Sequence, residues 1–114
     1  MLSSPAAWHA RFEQQAAWTE TARRYLLESI QAQRARRILE AGCGTSALTR
    51  ALHTHTPAQI CGIDIDLPRL VFACPNDPDS RFACADGLRL PFPAACFDIS
   101  LCHYYLLWVS DPLQ

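Results

Sequence analysis

Apolar residues recur at roughly helical spacing through Trp8, Phe12, Ala16, Ala22, Leu26 and Ile30. This is the period of a helix with one buried face. Ser4-Pro5 supplies a start signal: a serine side chain can accept from an early amide, and proline tolerates the first helical position. The pattern predicts helix to about Gln33, with a break near Trp18-Thr19 where Thr19 can cap a second helix. Then the period changes. Ile38-Leu39 is a short apolar run that stops at Glu40 and a glycine-rich turn. Thr45-Ser46 is expected to cap a helix reaching about His53. Residues 59–65 read as a strand rich in isoleucine, and Asp66 with Pro68 opens a short helix to about Ala73. Pro75, Asp77, Pro78 and Asp79 predict a loop, residues 81–85 a third strand, and residues 97–103 a fourth.

The alternation predicts an α/β fold: a doubly wound, Rossmann-like parallel sheet behind an N-terminal helical segment. The segment is placed at residues 1–35 and the sheet domain at 36–114. Right-handed crossovers give the strand order 3-2-1-4, with the reversal between strands 1 and 4. Such a domain usually continues further, so the chain reads as its front part, with the C-terminal strands absent. Phe97, Ile99 and Leu101 are then expected on an unprotected edge strand, open to pairing with another chain.

Composition narrows the chemistry. The chain has 114 residues, ten basic and eleven acidic, enough for one domain with a real core. A net charge of −1 gives no overall drive toward nucleic acid or an anionic membrane. No apolar run approaches the ~18–20 residues of a membrane span, and Met1 to Trp8 lacks the features of a signal peptide. A soluble, cytoplasmic protein is expected. Every basic residue is arginine, which excludes lysine chemistry. The six cysteines include no CxxC pair and match no zinc module, so they are read as buried free thiols and no metal is expected. His53 and His55 are read as solvated imidazoles near a helix terminus.

The candidate chemistry lies after the first strand, in Glu40-Ala41-Gly42-Cys43-Gly44-Thr45-Ser46. Two of the chain's four glycines flank Cys43. They let the backbone turn sharply and let a ligand lie against bare main chain, below the amides of the next helix. Asp64 ends the second strand twenty-two residues after Gly42, where a carboxylate can accept both hydroxyls of a ribose. A nucleotide-type ligand follows, with NAD and S-adenosylmethionine both open. A negative charge at Glu40 suits a sulfonium and an ammonium and would repel a pyrophosphate. Asp86, after the third strand, can bond an adenine amino group, and Leu88 can wall the ring.

Leu39-Glu40-Ala41-Gly42-Cys43-Gly44-Thr45, then Gly62-Ile63-Asp64-Ile65-Asp66, then residues 85–92 (ADGLRLPF) and Phe97-Asp98 together resemble the class I S-adenosylmethionine-dependent methyltransferases. The likeness is to the small-molecule branch with type 11-like domains, and it runs from about Arg37 to Pro112. It implies S-adenosyl-L-methionine as cofactor and a small-molecule methyl acceptor. It also implies that Glu40, Gly42 and Gly44 hold the methionine part and Asp64 the ribose. Ile65 would pack on adenine, and Asp86, Gly87 and Leu88 would hold its edge. His103 would face the methyl group as a candidate base. Ser46 stands where a third glycine is often found, and a serine there can still cap the helix. Trp8, Phe12, Trp18 and Tyr25 are either a lid over the cofactor or the docked face of an amphipathic helix. Two other readings remain: a non-catalytic methyltransferase-like binding module, and an NAD-dependent oxidoreductase disfavoured by Glu40 and the LPF segment.

Overall fold

A computed structural model of the chain describes residues 4–102. Helix α1 (Pro5–Trp18) begins as its start signal predicts, with the Ser4 hydroxyl accepting from the Ala7 amide at 3.1 Å. The break falls at Thr19, and α2 (Glu20–Ser29) follows. Thr19 does not cap α2 with its side chain; its hydroxyl turns back to the carbonyls of Gln15 and Ala16 and accepts from Arg23. The helical segment then ends early. Gln31 adopts a left-handed conformation, and Ala32–Arg34 form a 3-10 turn.

Four parallel strands follow: β1 (Arg37–Ala41), β2 (Gln59–Asp64), β3 (Arg81–Cys84) and β4 (Ile99–Cys102). Their order is β3-β2-β1-β4, with Glu40 opposite Gly62 and Leu101. The crossovers are α3 (Ala47–Leu52) and α4 (Leu67–Asn76). The doubly wound parallel sheet with strand order 3-2-1-4 anticipated above is therefore the observed fold. Asp66 caps α4 by accepting from the Arg69 amide at 3.2 Å. α4 runs past its predicted end, with Pro75 inside its last turn.

The core lies between the sheet and the first three helices. Ala16, Leu27, Leu48 and Leu52 pack against Ile38 and Ile60, with Ile99 and Leu101 partly buried beside them. On β4 this burial alternates with exposed Ser100 and Cys102, the pattern of a strand with one covered face. β4 is pinned where it begins. The Asp98 carboxylate accepts from the amides of Arg36 (2.7 Å) and Arg37 (3.0 Å), bonds that hold its pKa below the usual range. Among the described residues β4 pairs only with β1, as an edge strand; Phe97 lies just before it, stacked edge-on against Phe92.

Two expectations about single residue types are corrected. All six cysteines are free, but Cys74, Cys84 and Cys102 are exposed and only Cys43 is fully buried. Alternate positions of a strand face opposite ways, so membership of a strand does not by itself bury a thiol. His53 is not simply solvated: its Nε2 lies 2.7 Å from the Ser80 hydroxyl and 3.9 Å from the buried Asp77 carboxylate. The imidazole thus ties the end of α3 to the turn before β3. No helix among the described residues is long and apolar enough to cross a membrane, and no metal-ligating cluster occurs among them.

Candidate functional site

The site begins where β1 ends. The amides of Gly42 and Cys43 both donate to the Ile63 carbonyl, at 2.8 and 3.0 Å, folding the turn back onto β2. Gly42 (φ 71°) and Gly44 (φ 56°) take left-handed conformations that side chains resist. Gly62 serves the same turn differently. A Cβ there would come within 2.7 Å of Cys43 Sγ, so the bare strand position is what admits Cys43.

Ser46 departs from expectation. It too is left-handed, with φ 74°, and its side chain makes no capping bond; its buried hydroxyl has no partner. The backbone keeps a glycine-type geometry here and points the hydroxyl away from the orphan amides of α3. Serine is therefore tolerated rather than used as a cap.

Asp64 sits where the turn meets β2. Its Oδ2 accepts from the Gly44 amide and its Oδ1 from the Asp66 amide, both at 2.8 Å. Each carboxylate oxygen keeps a further lone pair, so the group is held rigidly while retaining capacity for two more donors.

Glu40 is the surprise. It is 2% exposed, on the helix-covered face, and Thr49 of α3 donates to its Oε1 at 2.7 Å. Burial pushes its pKa up to about 8, opposed by the Thr49 bond; Asp77 and Asp64 push the same way, and Arg23 weakly opposes them. A largely neutral Glu40 does not repel a pyrophosphate at pH 7, so the charge argument against NAD does not operate in this state. Burial also raises the Cys43 thiol far above its ordinary value, helped by Glu40 and Asp64.

The rim thus brings together Glu40, Gly42, Gly44 and Asp64. Ile65 lies beside them and is 71% exposed. Asp86, Gly87 and Leu88 form a separate turn beyond β3, where Asp86 Oδ1 accepts from the Leu88 amide at 2.9 Å and both Asp86 and Leu88 are exposed. His103 lies outside the described residues. Of the four aromatic residues singled out on the first helices, Phe12 approaches the glycine turn with Trp8 stacked on it, whereas Trp18 and Tyr25 are exposed. Sequence reasoning missed Thr49, Arg23 and Arg69. Thr49 had a signal: it is a polar residue between Leu48 and Leu52 on the apolar side of a short helix. Arg23 had none, because its approach to Glu40 depends on how two helices cross.

Comparison with known proteins places the chain in a family. Residues 39–114 match the family model described as a methyltransferase domain, so the chain belongs to that family, whose cofactor is S-adenosylmethionine. Among curated proteins, none matches the chain. Solved structures that share the fold include the following three. The YcgJ protein from Bacillus subtilis has TM-score 0.63 and 25% identity, covering 73% of this chain and 38% of its own. The plantazolicin methyltransferase BpumL, crystallised with S-adenosylhomocysteine (SAH), has TM-score 0.66 and 22% identity, covering 91% and 39%. Magnesium protoporphyrin IX methyltransferase from Synechocystis PCC 6803, with bound S-adenosylmethionine, has TM-score 0.65 and 20% identity, covering 88% and 49%. The chain spans about half the length of these proteins, or less.

Proposed function

We propose that this chain is the cofactor-binding portion of an S-adenosylmethionine-dependent methyltransferase that acts on a small-molecule acceptor. The observation that carries the reading is Asp64: a carboxylate fixed by two amide bonds of 2.8 Å beside two left-handed glycines. That is the acceptor a ribose diol needs, on a turn whose two glycines carry no side chain of their own. The family match supports it, and so do the ligands of BpumL and the Synechocystis enzyme.

The residues present fit the cofactor. Asp64 would take the ribose hydroxyls, and Gly42 and Gly44 would lie against the methionine part. Glu40 would face its ammonium, losing a proton as it does so. Ile65 would cover one adenine face, with Asp86, Gly87 and Leu88 at the ring's edge. When bound, the cofactor supplies an already activated methyl group. The protein's own contribution is then to align an acceptor and exclude water. His103 is the candidate base.

Calorimetric titration with SAH and with NAD tests the reading. Binding of SAH alone is expected, with Asp64→Asn weakening it roughly 10–100-fold, the range for hydrogen bonds to a charged group. NAD binding alone would overturn the family chemistry. Binding of neither would leave a methyltransferase-like module without the cofactor.

A further inference from the structure

The site's cover is built by α1, and one arginine holds it there. Phe12 lies against the glycine turn, its Cε2 3.3 Å from where a Cβ on Gly44 would stand. One turn earlier, His9 Nδ1 lies 2.8 Å from the Thr45 hydroxyl, and its ring packs at 5.1 Å on Phe72 of α4. Under this cover Cys43, Gly44, Thr45 and Ser46 are all buried. α1 has little else to hold it: Ala16 is its one buried residue.

Arg69, on the first turn of α4, faces the aromatic pair on α1. Its guanidinium carbon is 5.3 Å from the Trp8 ring centroid and 5.2 Å from that of Phe12; the two rings are themselves stacked at 5.5 Å. Both distances lie within the range where a cation is drawn to an aromatic face. Arg69 is aimed by Asp66, whose Oδ2 is 3.5 Å from its Nε. Asp66 in turn donates its amide to the Asp64 carboxylate. An unbroken chain of contacts therefore runs from the proposed ribose-binding carboxylate, through Asp66 and Arg69, to the helix lying over the glycine turn.

We propose that Arg69 is a positioning residue that latches α1 over the cofactor-binding turn, so that the cofactor enters and leaves only when the latch between Arg69 and the Trp8–Phe12 pair opens. The inference rests on the cofactor reading above. It adds a residue outside the expected binding set and a step, α1 release, that limits exchange of the ligand. A latch slows entry and exit alike, whereas a residue that merely touches the ligand slows exit alone.

Two measurements on the whole chain test it. Hydrogen exchange without ligand should show α1 amides exchanging roughly tenfold faster in Arg69→Ala, with β1 and β2 unchanged and Arg69→Lys largely restoring protection. Stopped-flow fluorescence with SAH should then show association and dissociation both accelerated severalfold in Arg69→Ala, leaving the Kd little changed. Unchanged α1 exchange would overturn the latch whatever the ligand does. Faster α1 exchange with unaltered rates, or with dissociation alone accelerated, would overturn the gating step. If the wild-type chain binds no SAH, gating falls together with the cofactor reading, and the exchange data still show whether Arg69 holds α1.

Discussion

Glu40 carries a pH dependence that its surroundings set. Its pKa in the folded chain, about 8, lies above the ordinary carboxylate value. Between those values the folded state holds a proton that the unfolded state has released, so this group's contribution is fully present in acid. It is lost as pH rises through about 8. The wild-type chain should lose on the order of 2–4 kcal/mol from this source between pH 5 and pH 9. Glu40→Gln keeps an acceptor for Thr49 and cannot ionise, so its unfolding free energy should be flatter over the same range; parallel profiles would refute the assignment. Ser46 gives a second test at the same scale. Its left-handed backbone and unpartnered buried hydroxyl both favour glycine, offset partly by glycine's freedom when unfolded. Ser46→Gly should stabilise the chain by about 1 kcal/mol in urea denaturation. A loss of similar size would mean that the serine caps α3 after all.

Among the elements, β4 is, with β3, one of the two edges of the described sheet. It pairs with β1 on one side, and no described strand covers the other. An open strand edge is a template for another strand, and Asp98 holds this one in place by its bonds to Arg36 and Arg37. Self-association through β4 is the expected consequence, visible in sedimentation as a mass that grows with protein concentration. A chain that stays monomeric across the accessible range would refute it. The helices contrast with this. α3 is buried at Ala47, Leu48, Thr49 and Leu52 and is fixed between the glycine turn and the core. α1 has one buried residue, Ala16, and rests largely on the aromatic and polar contacts of Trp8, His9 and Phe12.

Among the described residues the whole sheet is organised around a reversal. β1 has β2 on one side and β4 on the other, and in such sheets ligands bind outside the carboxyl ends of the strands at the reversal. The glycine turn, Asp64 and the Asp86 turn all lie at that rim, whereas the hollow lined by Arg37, Gln59, Cys61, Arg81, Phe92, Cys96 and Phe97 lies at the opposite one. The glycine-turn end and the amino end are thereby separated by the length of the strands.

What the sequence determined by itself was whatever depends on neighbours along the chain. Ser4 and Asp66 cap because a side chain reaches an amide three residues on; Gly42 and Gly44 turn because nothing crowds their backbone. The strand order follows from the handedness of short crossovers, which is a local matter repeated. The tertiary structure alone decided the rest. Glu40 is buried against a threonine because α3 packs on its side of the sheet. Ser46 is bent left-handed by a turn that the Ile63 carbonyl closes, and Arg69 meets Trp8 and Phe12 across some sixty residues of chain. Such contacts require the intervening segments to be already in place, so no local pattern of residue types can encode them.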